Sequence, residues 1–286
     1  MSRILHFSDV HFPLTWDMLA VPGMIHPKRI LALVNYLLRR QTRFRNAPQK
    51  WEAFLSFVEH SHFDAVICTG DLTAMGLPGE LDAARKRLAP LLERPDFVLL
   101  PGNHDLYLPG KAAEWYDRIF PTTQRTNILC PDDGAPYPFI KLVGQDTALL
   151  VLNSAKPNPL IWRSSGRISP EQMQAARELL SASALELRLR HLVVATHYNI
   201  DDDDSSLHGL ENRLQVRQFL EEINCSMLIH GHIHHHGKTP IEGFLPQVYC
   251  AGSLTYRRRE GFWVYTVEDQ ITAQAGTWNG REYVLN

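Results

Sequence analysis

The chain has 286 residues, enough for one large domain or two ordinary ones, and its 44% hydrophobic and 21% charged residues are the balance of an ordinary globular protein. Lys plus Arg is 29 against Asp plus Glu at 31, which excludes a protein basic all over and built to coat nucleic acid. Any charged partner must therefore be met by a local patch.

The first segment, "MSRILHFSDVHF", lacks the apolar core and cleavage site of a signal peptide, and no window reaches about 18 uninterrupted apolar residues. Four cysteines (Cys68, Cys130, Cys225, Cys250) form no CxxC pair. A reduced, cytoplasmic protein is expected. The first predicted strand, "ILHF" (4–7), runs into Asp9 and His11. Residues 28–45 then read as a helix with Ile30, Leu33, Val34 and Leu37 on one stripe, widened by Leu31 and Leu38. A further helix is expected over 50–60.

"DAVICT" (64–69) is the next strand and ends at Asp71 in "TGD"; a helix follows over 80–94. "DFVLL" (96–100) ends in "PGNHD", which carries Asn103, His104 and Asp105. Strands continue at 147–152, 190–196 and 226–229, and then at 247–251 and 262–267. Nearly continuous apolar runs of four to six residues suit strands covered on both faces. Helices are expected at 169–183, with Ser169 as N-cap and Pro170 opening the first turn, and at 210–223. The alternation predicts a layered α/β domain with a mixed sheet or two sheets, continuous over 1–286.

Polar residues cluster just past these strands. His197 follows the strand at 190–196, and His232 and His234 follow the one at 226–229 in "HGHIHHH". Strand ends in α/β sheets gather residues that are distant in sequence. Each element alone is common: GD is a frequent turn, and a lone histidine is more often a core or surface residue. The joint order DxH, GD, GNHD, H, GHxH is not.

That ordered set, from Asp9 to His234, resembles the calcineurin-like metallophosphoesterase family. The resemblance implies a four-layer αββα sandwich with two divalent metal ions at the carboxyl edge of its sheets. It implies Asp9, His11, Asp71 and His234 around the first ion, and Asp71, Asn103, His197 and His232 around the second, with Asp71 shared. Such a donor set suits manganese, with iron or zinc as alternatives. Two cations about 3.5 to 4 Å apart activate a shared water as a bridging hydroxide for attack on phosphorus. His104 is expected to face the leaving-group oxygen and donate a proton or a hydrogen bond to it, with Asp105 holding its other ring nitrogen and supporting its protonated form. "HYNI" after His197 departs from the family's proline-containing turn. "DDDD" (201–204) reads as a solvated acidic loop, and His235 and His236 read as neighbours of the site.

Between Met18 and Trp51 stand Lys28, Arg29, Arg39, Arg40, Arg43, Arg45 and Lys50, with no acidic residue. One account is a helical cap over 18–50 packed on the core. The other is a surface helix whose leucines enter an anionic membrane interface while Lys28, Arg29, Arg39, Arg40, Arg43 and Arg45 meet phosphates. Among metallophosphoesterases that combination resembles the UDP-2,3-diacylglucosamine pyrophosphohydrolases of lipid A synthesis, peripheral on the inner membrane. Their implied products are UMP and 2,3-diacylglucosamine 1-phosphate. "YRRREGF" (256–262) is a second basic patch, a solvated loop or a phosphate clamp. Alternatives are a soluble phosphodiesterase for cyclic nucleotides or other small diesters, a nuclease, and a non-catalytic binding scaffold. The nuclease lacks aromatic residues interleaved for base stacking, and the scaffold is at odds with a full ligand set.

Overall fold

Two β-sheets lie face to face in a computed structural model of the protein, which describes residues 1–19, 22–121, 128–182, 189–200 and 207–286. The strands, in chain order, are β1 (Ser2–Phe7), β2 (Ala65–Cys68), β3 (Phe97–Leu99), β4 (Ile128–Leu129), β5 (Phe139–Val143), β6 (Thr147–Val151) and β7 (His191–Ala195). They continue with β8 (Met227–His230), β9 (Gly237–Lys238), β10 (Gln247–Cys250), β11 (Phe262–Val267), β12 (Ile271–Trp278) and β13 (Tyr283–Leu285). One sheet has the order β13-β12-β11-β1-β2-β3 and the other β4-β5-β6-β7-β8-β10-β9. Within them β1, β2 and β3 are parallel, as are β6, β7, β8 and β10. Parallel pairing brings the carboxyl ends of each set to one edge, where the loops begin.

Side chains alternate about each strand. Ile4, Ala65 and Ile67 point between the sheets, where they meet Leu149, Val193 and Ile229. Leu5, Phe7, Val66 and Cys68 point outward onto Trp51, Phe54 and Val58 of the helix Ala47–Glu59 and Leu81, Ala84 and Leu88 of the helix Pro78–Leu92. On the far side, Ala148, Leu150 and Val194 meet Met173 and Ala176 of the helix Pro170–Ala182 and Val216 and Phe219 of the helix Arg213–Glu222. Helix, sheet, sheet, helix is the four-layer arrangement expected. The helices are α1 (Pro27–Asn35), α2 (Gln41–Arg43), α3 (Ala47–Glu59), α4 (Pro78–Leu92), α5 (Ala112–Ile119), α6 (Pro170–Ala182) and α7 (Arg213–Glu222). Ser169 Oγ accepts the Gln172 N–H at 3.1 Å, so α6 starts as its cap predicts.

The segment after β1 differs from the continuous helix expected over 28–45. A π turn at Tyr36–Arg40, closed by Gln41 N donating to Tyr36 O, separates α1 from α2. Its faces are also only partly those of a packed cap. Leu33, Ala32 and Tyr36 pack on a small cluster of Met24, Ala74, Met75, Leu77, Tyr107 and Leu108. Ile30, Leu31, Val34, Leu37 and Leu38 stay exposed, Leu38 by 74%. Lys28 and Arg29, by contrast, are buried. Among the described residues no helix is long and apolar enough to cross a membrane. The acidic run 201–204 lies outside the described residues.

Candidate metal centre

Three loops at the carboxyl ends of β1, β2 and β3 are tied together before any side chain reaches the site. Asp9 N donates to Gly70 O, His11 N to Asp71 O and Phe12 N to Leu72 O, all within 2.8–3.0 Å. The third loop approaches so closely that a Cβ on Gly102 would lie 2.1 Å from Asp71 Oδ1 and 2.4 Å from Asp71 N. Only glycine fits there. From the other sheet, a Cβ on Gly231 would lie 2.4 Å from Asp9 Oδ2, which instead accepts the His232 N–H at 3.0 Å. Asp9, His11, Asp71, His232 and His234 all have positive φ, five of the seven non-glycine residues that do among the described residues. Such strain collects where function over-determines the backbone.

The side chains so aimed form two adjoining groups. In the first, ligand atoms of Asp9, His11, Asp71 and His234 all lie within 4.8 Å of one another. His11 Nδ1 donates to Thr73 O at 2.8 Å, so Nε2 carries a bare lone pair, and it faces His234 Nε2 at 3.2 Å. In the second, Asn103 Oδ1 lies 3.0 Å from His197 Nε2 and 2.9 Å from His232 Nδ1. Asp71 Oδ2 stands between them, 3.7 Å from His11 Nε2 and 3.6 Å from His197 Nε2. His197 Nδ1 is held by Thr69 O and His232 Nε2 by His208 O. Backbone carbonyls on the far ring nitrogens are the usual way of orienting metal-binding imidazoles. Lone pairs converging in a buried space fit divalent cations, and nitrogen with carboxylate and amide oxygen fits first-row metals.

Charge balance points the same way. Burial opposes protonation of His197, yet the Asp71 carboxylate beside it prevails and lifts its pKa to about 9. Burial and then the His197 charge hold His232 down at about 3. Burial raises Asp71, but the surrounding histidines, His197 first, hold it well below the usual carboxylate range. A buried pair of carboxylates here demands cations.

Asp105 does not hold His104, contrary to expectation. His104 Nδ1 donates to Ala74 O at 2.6 Å, within the π-stack of His104 on Tyr107. The Asp105 carboxylate, fully buried, instead accepts the N–H groups of Asp71, Leu72, Thr73 and Gly102 at 2.9–3.0 Å and the Thr73 hydroxyl at 3.1 Å. Being adjacent in sequence, the two side chains leave the loop in different directions. Lys28 and Arg29 also depart from expectation, since neither faces phosphate or lipid. Lys28 Nζ donates to Asn158 O and Arg163 O, and Arg29 to Gly23 O, Met75 O and Gly76 O. Buried backbone carbonyls need donors, and the start of α1 supplies them. Arg39 and Arg45 are exposed, and Arg43 lies over the Tyr256 ring at 5.6 Å. Arg40 alone of these six hydrogen-bonds into the site, with Nη2 3.2 Å from His104 Nε2.

Residues 2–236 match the family described as calcineurin-like phosphoesterase. The chain belongs to that family. This phosphoesterase is accordingly a metal-dependent enzyme, and its Asp and His cluster marks the family's dinuclear metal site. It is similar in fold to a dimetal phosphatase from Danio rerio, at 13% identity and TM-score 0.69 over 99% of this chain and 98% of that one. A 5'-nucleotidase from Candida albicans aligns at 14% identity and TM-score 0.48 over 96% of this chain and 50% of that one. No curated protein matches it.

Sequence reasoning missed two tyrosines of the phosphoesterase site. Tyr198, where the family's proline turn was absent, is buried with its ring 4.1 Å from that of His232, and its hydroxyl donates to Ser164 O. Tyr107 backs His104. An aromatic residue directly after a ligand histidine is a signal that was available for the first.

Proposed function

We propose that this phosphoesterase hydrolyses the diphosphate of an amphiphilic, nucleotide-linked substrate, with UDP-2,3-diacylglucosamine as the specific candidate. The observation that carries the reading is the outward apolar face of Ile30, Leu31, Val34, Leu37 and Leu38 on the same segment whose Arg40 touches His104. One segment thus joins an acyl-sized apolar surface to a phosphoryl-handling centre. Trp162, Leu160 and Ile161 are also exposed, in the loop whose Arg163 carbonyl receives Lys28. The same face would rest on an anionic membrane, with Arg39, Arg43 and Arg45 as its cationic rim.

Asp9, His11, Asp71 and His234 would hold one divalent ion, and Asp71, Asn103, His197 and His232 the other. Manganese is the favoured metal. When bound, such a pair activates the attacking water and neutralises phosphoryl oxygens. Around it, Thr69 O, Thr73 O and His208 O keep three imidazoles turned inward, and Asp105 fixes the spacing of the Asp71 and Asn103 loops. His104, oriented by Ala74 O, presents Nε2 to the leaving group. Burial and then Arg40 hold its pKa down at about 4.

The test is product analysis by mass spectrometry with manganese, UDP-2,3-diacylglucosamine in detergent and, in parallel, bis(p-nitrophenyl) phosphate, with Asp71→Ala as blank. UMP release from the lipid, well above aryl ester turnover, is expected. Aryl ester cleavage with no lipid cleavage would overturn the lipid reading in favour of a soluble phosphodiesterase. Flotation with anionic vesicles, reduced by Leu31→Asp and Leu38→Asp, tests the surface separately.

A further inference from the structure

Arg40 ends the π turn at Tyr36–Arg40, and such turns occur disproportionately at functional sites. Its guanidinium has five N–H donors. Among the described residues it has no carboxylate at ion-pair distance; its hydrogen bond is to His104 Nε2, and its side chain otherwise lies 6.0 Å over the Phe44 ring. Lys50, Arg94, Lys156 and Arg163, elsewhere in the chain, all have carboxylate partners at 2.6–2.7 Å. Arg40 is thus a cation aimed into the site with most of its donors unspent.

We propose that Arg40 binds the phosphate that leaves when a P–O–P bond is cleaved. This rests on the diphosphate reading above. In the step, the water oxygen bonds to the attacked phosphorus and the bond from that phosphorus to the bridging oxygen breaks. The electron pair stays on the bridging oxygen, and the water proton passes to solvent. The departing group is a phosphate monoester, whose second pKa is about 6, so it leaves as an anion without being protonated. What it needs is charge neutralisation. Arg40 provides that with planar paired donors that match phosphate oxygens, while His104 holds the guanidinium in place until substrate arrives.

The experiment compares wild type, Arg40→Ala and Arg40→Lys on a nucleoside diphosphate ester and on bis(p-nitrophenyl) phosphate, with metal content measured for each. Loss of one preorganised charge-stabilising donor costs about 100- to 1,000-fold in turnover. That loss is expected for Arg40→Ala on the diphosphate, against a loss under about tenfold on the aryl ester, whose leaving group carries no phosphate. Arg40→Lys should fall between, since a point charge replaces a fork. Metal content should match wild type in all three. Equal losses on both substrates, as a structural role would give, or no loss on the diphosphate, would overturn the role of Arg40. Wild type that cleaves the aryl ester but no diphosphate would instead overturn the underlying reading, and this one with it.

Discussion

Asp105→Asn separates a structural role for Asp105 from the orienting role that its place beside His104 suggests. The carboxylate receives two N–H groups on Oδ2, from Asp71 and Gly102, and two on Oδ1, from Leu72 and Thr73, plus the Thr73 hydroxyl. Burial and the neighbouring Asp71 push its pKa up, and the backbone donors oppose that shift. In asparagine one oxygen becomes an NH2 group, so two N–H donors face another donor and go unsatisfied in a fully buried space. At roughly 1.5–3 kcal/mol for each hydrogen bond to a charged group, the loss is about 3–6 kcal/mol. For a protein of this size that lowers Tm by roughly 6–24 °C. Metal content should fall too, because Asp71 and Asn103 sit on the two loops that Asp105 joins. Differential scanning calorimetry with elemental analysis reads both. A Tm and metal content like wild type, with only turnover lost, would refute the reasoning and restore Asp105 as the partner of His104.

Gly102→Ala should weaken metal binding at least tenfold, the scale of damage to groups that orient ligands, since its Cβ must displace Asp71; full metal content after purification would contradict this. Metal binding should release close to one proton at pH 7 to 8, falling to about half a proton near pH 9. His197, raised to about 9 in the metal-free protein, is protonated there and must become neutral to ligate, whereas above that range the release should vanish. Calorimetric titration in buffers of different ionisation enthalpy checks it, and an enthalpy independent of buffer at pH 8 would count against it. Lys28→Met should destabilise the protein by about 2–4 kcal/mol, as a buried and a part-buried carbonyl lose a charged donor. Urea unfolding measures this, and a change below about 0.5 kcal/mol, the ordinary surface range, would mean the carbonyls find other donors.

The sandwich and the metal cluster were legible because both rest on local patterns. Continuous apolar runs become two-sided strands, and the polar residues just past them are forced to one edge by parallel pairing. What escaped was set by contacts distant in sequence. β5 carries Lys141 at its centre, buried with Nζ on Pro95 O, so its run looks broken. β12 reads "ITAQAGTW", too small and polar to signal a strand except by pairing with β11 along its length. In the segment after β1 the helical period was visible but its direction was not. Lys28 and Arg29 face inward because the carbonyls of Met75, Gly76, Asn158 and Arg163 await donors there, and no local pattern records those. Asp105 was misassigned for a related reason, since adjacency in sequence says little about where two side chains point.

The proposed two-metal hydrolytic centre would draw its ligands from Asp9, His11, Asp71, Asn103, His197, His232 and His234. Manganese bound per chain after chelator treatment and reloading, followed together with bis(p-nitrophenyl) phosphate hydrolysis, shows whether it does. Two ions per chain are expected, with activity appearing as the second binds, and Asp71→Ala should lose both the second ion and the activity. Full activity with one ion or none, or two ions retained by Asp71→Ala, would contradict the account.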